Sequence, residues 1–145
     1  MSAKVQVSEV IDRPVTAVFH FHAHEHVRNH PRWDPYMQLE QVTEGPIGVG
    51  TIINRVNSRS GKPVAGTMQV TEFEPDRAVA MRIMDGGLEM IGRATYEAES
   101  PNRTRLTINV ELSGMDQSMD TSMLAIGIQT SLQTIKHLLE SEEEG

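Results

Sequence analysis

The chain has no cysteine. Disulfides, thiolate nucleophiles and cysteine-ligated zinc are therefore excluded, which fits a reducing cytoplasm. It has no stretch near the roughly 18 consecutive apolar residues of a membrane span. Met1 to Glu9 alternates polar and apolar residues and lacks the apolar run of a signal peptide. Positive charge is also short: 13 Lys and Arg against 20 Asp and Glu give a formal net charge of −7. Nucleic acid is thereby disfavoured as a partner, because phosphate binding needs a positive surface. Aromatic residues are few, with one Trp, two Tyr and three Phe, whereas methionine occurs nine times. Met is flexible and polarizable, so it suits an adaptable apolar lining, although it also replaces Leu in ordinary cores.

What is present fits one domain spanning residues 1–145. A chain of this length buries roughly 68–70% of its unfolded surface, enough for a core with room for a cavity. The acidic end, 141–145, reads as a solvated, frayed helix terminus. Val5, Val7, Glu9 and Ile11 alternate with Lys4, Gln6, Ser8 and Val10, which predicts a strand. Pro14 then suits the first turn of a helix, with Asp12 as a candidate cap. Val15, Val18, Phe19 and Phe21 to Val27 predict two short helices, and Pro31 and Pro35 interrupt the chain around Trp33. Six further strands follow: 37–43, 50–57, 64–73, 78–84, 88–99 and 103–112. Turn residues separate them, and Asp85-Gly86 is a strong hairpin signal. Short turns between consecutive strands imply an antiparallel meander. From about Ser118 to Glu140, Leu124, Ile128, Leu132, Ile135 and Leu139 recur at helical spacing, widened by Met123, Ile126 and Leu138. Asp116 or Ser118 can cap this helix, and Asp120 favours its positive end. The strands carry one apolar face, and this long amphipathic helix is the only element large enough to cover it.

Several segments together carry a resemblance: Ile11-Asp12-Arg13-Pro14-Val15-Thr16-Ala17-Val18-Phe19, Asn29-His30-Pro31-Arg32-Trp33-Asp34-Pro35, Gly45 to Thr51, Val70 to Arg77, and Leu132 to Glu140. Along essentially its whole length the chain resembles the polyketide cyclase/dehydrase-type members of the START-like, helix-grip superfamily, which includes the birch pollen allergen fold. The resemblance implies an α+β helix-grip fold. A curved antiparallel sheet of about seven strands would wrap a long C-terminal helix, with two short helices after the first strand. It also implies that Trp33 lies near the rim where the short helices meet the sheet, as an anchor for them or a surface for a ligand. The superfamily hosts binders, cyclases and lipid carriers on one scaffold, so the fold alone does not choose among them. The chain departs from the usual pattern chiefly in its histidines.

His20, His22, His24 and His26 alternate, with His30 nearby. On a helix only His20–His24 and His22–His26 are i,i+4 pairs, on different faces. His22-x-x-x-His26 lacks the Glu that metalloproteases place after the first His. The segment is therefore expected to be mostly exposed and not catalytic, and no metal or other cofactor is expected. Gly45, Gly48 and Gly50 sit between strands rather than before a helix, so they read as turn glycines and not as a phosphate loop. No nucleophile-elbow motif is present. Arg55, Glu72 and Tyr96 are the polar pocket candidates: Arg55 or Tyr96 to hold a carbonyl or enolate oxygen, Glu72 as a base. Each also has a plain reading, at a wet face, at a strand end or in packing.

Side-chain parity turns Met68, Met81, Met90, Tyr96, Leu106 and Ile108 away from water. With Trp33 and with Met123, Ile126 and Gly127 of the helix, they are the predicted pocket lining. Gly127 has no side chain and Met can move aside, so the opening is expected near the helix's beginning. Three functions follow as expectations. The first is a binding module for a small hydrophobic or aromatic, lipid- or polyketide-like molecule. The second is a cyclase or dehydratase acting in the same pocket, and the third a protein-interaction module, with a homodimer left open. A converging polar pair deep inside would favour the enzyme, and a uniformly apolar lining the binder.

Overall fold

The computed structural model describes residues 2–113 and 121–141. Its elements are β1 (Ser2–Ile11), α1 (Val15–Phe19), a π-helical turn (His20–His24), α2 (His26–Trp33), β2 (Met37–Gln41), β3 (Ile52–Asn57), β4 (Val64–Glu74), β5 (Ala78–Asp85), β6 (Leu88–Ser100), β7 (Arg103–Ser113) and α3 (Thr121–Ser141). All pairings are antiparallel. The seven strands run in the order β1-β7-β6-β5-β4-β3-β2. β2 to β7 thus form the meander that short turns dictate, and β1 joins it at the β7 edge. The β5–β6 turn holds Gly86 at φ 60°, a left-handed conformation that glycine adopts without strain.

Register decides what faces inward. Ile53 pairs with Met68, Val70 with Met81, Val79 with Ala94 and Tyr96 with Leu106, so these side chains share one face. That face is the core, joined by Ile11, Val18, Phe19, Phe21 and Trp33 from the first strand and the short helices. The parity of β4 changes along its length. A bulge between Val70 and Glu72 sets Glu72 opposite Ala80 and Phe73 opposite Val79. The extra residue turns Glu72 outward and Phe73 inward. The expectation that Glu72 points inward with Met68 and Val70 is thereby corrected.

α3 covers the sheet unevenly. Leu132, Ile135 and Leu139 are buried, while Leu124 and Ile128 are only half-buried. Met123 and Ile126 are 68% and 59% exposed. The C-terminal half is also fastened by polar contacts. Lys136 Nζ donates to the Val10 carbonyl at 2.8 Å, and Glu140 accepts the Asp12 backbone N–H at 2.8 Å. Asp12 is not a cap for α1. Its carboxylate takes the Arg103 guanidinium at 2.9 Å, and Pro14 stands at the N-cap position without a side-chain bond. Pro31 lies within α2 rather than breaking it. The candidate caps Asp116, Ser118 and Asp120 and residues 142–145 of the acidic end lie outside the described residues. Among the described residues, no helix is long and apolar enough to cross a membrane.

Candidate active site

A polar layer lies inside the core, between the short helices and the concave face of the sheet. The helical side of it comes from a ladder of rings. His22 and His26 have centroids 5.6 Å apart, and His26 and His30 4.7 Å. Trp33 stacks on His22 at 5.2 Å and on His30 at 5.3 Å. His22 and His26 are buried and His30 is half-buried, whereas His20 and His24 of the same segment face water. The expectation that the histidine segment is mostly exposed is therefore corrected. Residues 22, 26, 30 and 33 step by four, four and three, the spacing of one helix face. Glu25, Arg28 and Arg32 occupy other positions of the same turns. The buried face could have been read from this spacing by extending the pairs to His30 and Trp33.

The π-turn supplies two acceptors to this layer. Its defining bond runs from the Glu25 N–H to the His20 carbonyl, an i→i+5 closure. The Phe21 and His22 carbonyls take side chains of α2: Asn29 Nδ2 donates to Phe21 O at 3.0 Å, and His26 Nδ1 donates to His22 O at 2.8 Å. Tyr96, on β6, brings its hydroxyl to 2.5 Å from His22 Nδ1. Burial pushes the Tyr96 pKa well above its usual value, so the phenol keeps its proton in this hydrogen bond.

The sheet contributes a buried ion pair. Arg55 Nη2 lies 2.9 Å from Asp85 Oδ2. The two residues sit on β3 and β5, with Gly66 of β4 in register with both. A Cβ on Gly66 would collide with the Met84 carbonyl oxygen and Asp85 Oδ1, so only glycine lets the pair close across that strand. Asn57 Nδ2 adds a 3.4 Å contact to Asp85.

Electrostatics keep the imidazoles neutral. Burial, helped by the neighbouring His26, lowers the His22 pKa to about 3. Burial lowers His26 to about 4, against the opposing effect of its bond to the His22 carbonyl and with help from the Arg55 charge. Burial also holds His30 well below its usual value, reinforced by His26, Arg55, His22 and Arg59. Four buried polar atoms of this layer have no partner among the described residues: His26 Nε2, His30 Nδ1, Arg55 Nε and Asp85 Oδ1. Unsatisfied buried groups are costly, so a cluster of them marks a place where protein stability is not the whole requirement. Among the described residues, no group of three or more His, Asp or Glu is arranged to hold a metal ion.

The predicted site residues divide accordingly. Arg55, Tyr96 and Trp33 meet in or against the polar layer. Met68, Met81 and Leu106 are buried beside it, and Met90 and Ile108 are half-buried on the same sheet face. Glu72 is outside, held by Arg93 at 2.7 Å. Met123 and Ile126 point to solvent, and nothing lies within 4 Å of a Cβ built on Gly127. These three positions do not line the interior as expected, whereas Leu124 and Ile128 of the same half are half-buried. Hollows of about 460 and 470 Å³ lie at the edges, one beside Arg77 and Arg93, the other between β1 and Ile126. Neither is lined by His26, Arg55 or Asp85.

A seven-stranded antiparallel sheet covered by a long C-terminal helix, with short helices after the first strand, defines a helix-grip fold. Solved structures share this fold at low sequence identity. Ara h 8.0201 matches with a TM-score of 0.78 and 14% identity, over 98% of this chain and 100% of that one. The ZhuI aromatase/cyclase from a Streptomyces has a TM-score of 0.78 and 16% identity, over 97% of this chain and 94% of that one. A Thalictrum norcoclaurine synthase mutant, bound to a transition-state analogue, has a TM-score of 0.74 and 12% identity, over 99% and 98%. No curated protein matches the chain by sequence. The family described as polyketide cyclase / dehydrase and lipid transport matches over residues 2–140, and the chain belongs to that family.

Proposed function

We propose that this protein is an acid–base catalyst of the cyclase/dehydratase type. It would act on a small, largely apolar molecule that carries carbonyl groups, held between the sheet and the short helices. The observation that carries this reading is the convergence of neutral imidazoles with the buried Arg55–Asp85 pair, several of whose polar atoms have no protein partner among the described residues. A carrier of apolar molecules has no use for such atoms, and leaving them buried costs stability. A catalyst uses them at the reacting carbonyl: Arg55 steadies developing negative charge on oxygen, and an uncharged imidazole moves a proton. The apolar walls of Ile53, Met68, Val70 and Met81 would shape a flexible chain around that point. Access would pass the loosely held half of α3.

Binding without conversion is the second reading, and the methionine-rich wall favours it. Native mass spectrometry separates the two. The purified protein is examined for a copurifying small molecule, then incubated with model poly-β-carbonyl compounds. A bound species that loses one water in wild type but not in Arg55→Met supports the catalyst. A bound species that stays chemically unchanged in both leaves the carrier. The single Trp, Trp33, reports occupancy independently through its fluorescence.

A further inference from the structure

Among the buried groups, one nitrogen has its role fixed by backbone geometry. A carbonyl oxygen can only accept a hydrogen bond, so the 2.8 Å contact between His26 Nδ1 and the His22 carbonyl puts the proton on Nδ1. In a neutral imidazole the other nitrogen is then bare. That nitrogen, Nε2, is buried and has no partner among the described residues. The carbonyl that makes this choice belongs to the π-turn, the same turn whose Phe21 carbonyl is taken by Asn29. In a continuous α-helix these carbonyls would serve backbone N–H groups four residues on.

We propose that His26 Nε2 is the proton acceptor of this site, and that the π-turn holds it in that role by giving the His22 carbonyl to Nδ1. The inference deepens the proposed function and rests on it. The ligand's C–H bond breaks, and its proton forms the N–H bond on Nε2. The electron pair left behind moves onto the adjacent carbonyl oxygen as an enolate. Arg55 Nε, which also lacks a partner among the described residues, is the donor for that oxygen. The enolate then re-forms its carbonyl, and its electron pair makes a C=C bond as the β-carbon–oxygen bond breaks. The imidazolium gives the same proton to the departing hydroxyl, which leaves as water and returns His26 to its starting form. Imidazolium is disfavoured in this buried setting beside Arg55. It therefore persists only while the enolate is there to balance it, which ties proton transfer to an occupied site.

Two measurements test this. Nitrogen-15 NMR of the histidine rings in the ligand-free protein reads the tautomer directly. The expected signature is Nδ1–H for His26, and Nε2–H there overturns the inference whatever the ligand is. The second uses 5-nitrobenzisoxazole, an apolar carbon acid. A base removes its ring C–H proton, the N–O bond breaks, and a coloured nitrophenolate forms. Wild type is expected to convert the probe with saturation while quenching Trp33. His26→Asn keeps an amide donor for the His22 carbonyl but has no second nitrogen. It is expected to bind the probe and convert it at least about 100-fold more slowly, at the low end of general-base effects. Saturable quenching without conversion, or conversion unchanged in His26→Asn, overturns the inference and leaves the pocket standing. No saturable quenching at all counts against the pocket itself, and both readings then fall.

Discussion

Burial decides the charge of His22 and His26, and that has a measurable consequence. Their folded pKa values, about 3 and about 4, lie below the ordinary value of 6.5. Between those limits the unfolded chain binds more protons than the native one, so stability is present above pH 6.5 and falls as pH drops. With each histidine counted separately, the loss between pH 7 and pH 5 is roughly 2 kcal/mol per residue, at about 1.4 kcal/mol for every pH unit below the ordinary value. Urea melts at the two pH values should show it, and His26→Asn should flatten the dependence. A wild type equally stable at pH 5 and pH 7 would mean these rings are solvated. Tyr96 belongs to the same layer. Tyr96→Phe removes the hydroxyl 2.5 Å from His22 Nδ1, taking away that nitrogen's hydrogen-bond partner. The expected cost is about 1–3 kcal/mol, read from the urea midpoint. A change inside a few tenths would show that water serves His22 instead. At this scale the residue types and the four-four-three spacing of the buried face were readable in the sequence, but the hydrogen-bond partners of those residues were not. Alternation of His20, His22, His24 and His26 suggests two scattered pairs, whereas the structure buries the 22, 26, 30, 33 face.

Along α3 the same stripe of apolar residues has two fates. Leu132, Ile135 and Leu139 are locked against the sheet, whereas Met123 and Ile126 are open to solvent. Leu132→Ala should therefore cost about 2–5 kcal/mol, as large-to-small core changes do. Ile126→Ala should fall within about half a kcal/mol, as surface changes do. Thermal melts of the two variants give the contrast directly, and similar losses would mean that both halves pack alike. Gly127 carries the argument further. With nothing within 4 Å of an added Cβ and a helical backbone, Gly127→Ala should stabilise by roughly 0.4–1 kcal/mol through the unfolded chain's lost freedom. A loss instead would place an unseen neighbour at that position. The helix and the strands were legible because periodicities of 3.6 and 2 are written directly in the residues. Two local insertions were not. The bulge between Val70 and Glu72 and the π-turn each shift the register by one residue, and hydrophobic patterns carry no mark of where that happens. The uneven seating of α3 was hidden for another reason. An apolar stripe says which face is turned inward but not how closely each end approaches.

Across the whole molecule, the Arg55–Asp85 pair separates what the fold needs from what the site needs. The resemblance and the turn signals sufficed for the meander and its covering helix, whereas the pairing of β1 with β7 came from the structure. The pair could not be found that way. Its partners are 30 residues apart in sequence and meet only because β4 presents Gly66 between them. Desolvating two charges is expensive, and apolar replacements of similar size often match or exceed the stability of a buried pair. Removing one partner is different, since it strands the other charge in the core. Arg55→Met alone is thus expected to cost about 3–5 kcal/mol. The double variant Arg55→Met with Asp85→Leu should recover most of that loss, and reach or pass wild type if the apolar side chains fill the space. Its function should not recover. Arg55 Nε and Asp85 Oδ1 are two of the four polar atoms in the layer with no partner among the described residues, so a chain that folds well without them should neither bind nor dehydrate a carbonyl-bearing molecule. Urea melts measure the first half, and Trp33 quenching with mass spectrometry of the products measures the second. Activity retained in a stable double variant would assign the pair to architecture alone and move the chemistry wholly onto the histidine ladder. Stability lost in both variants, with no recovery in the double, would mean that the ion pair fixes the register of β3, β4 and β5. It would then be part of the reason the sheet closes around the site.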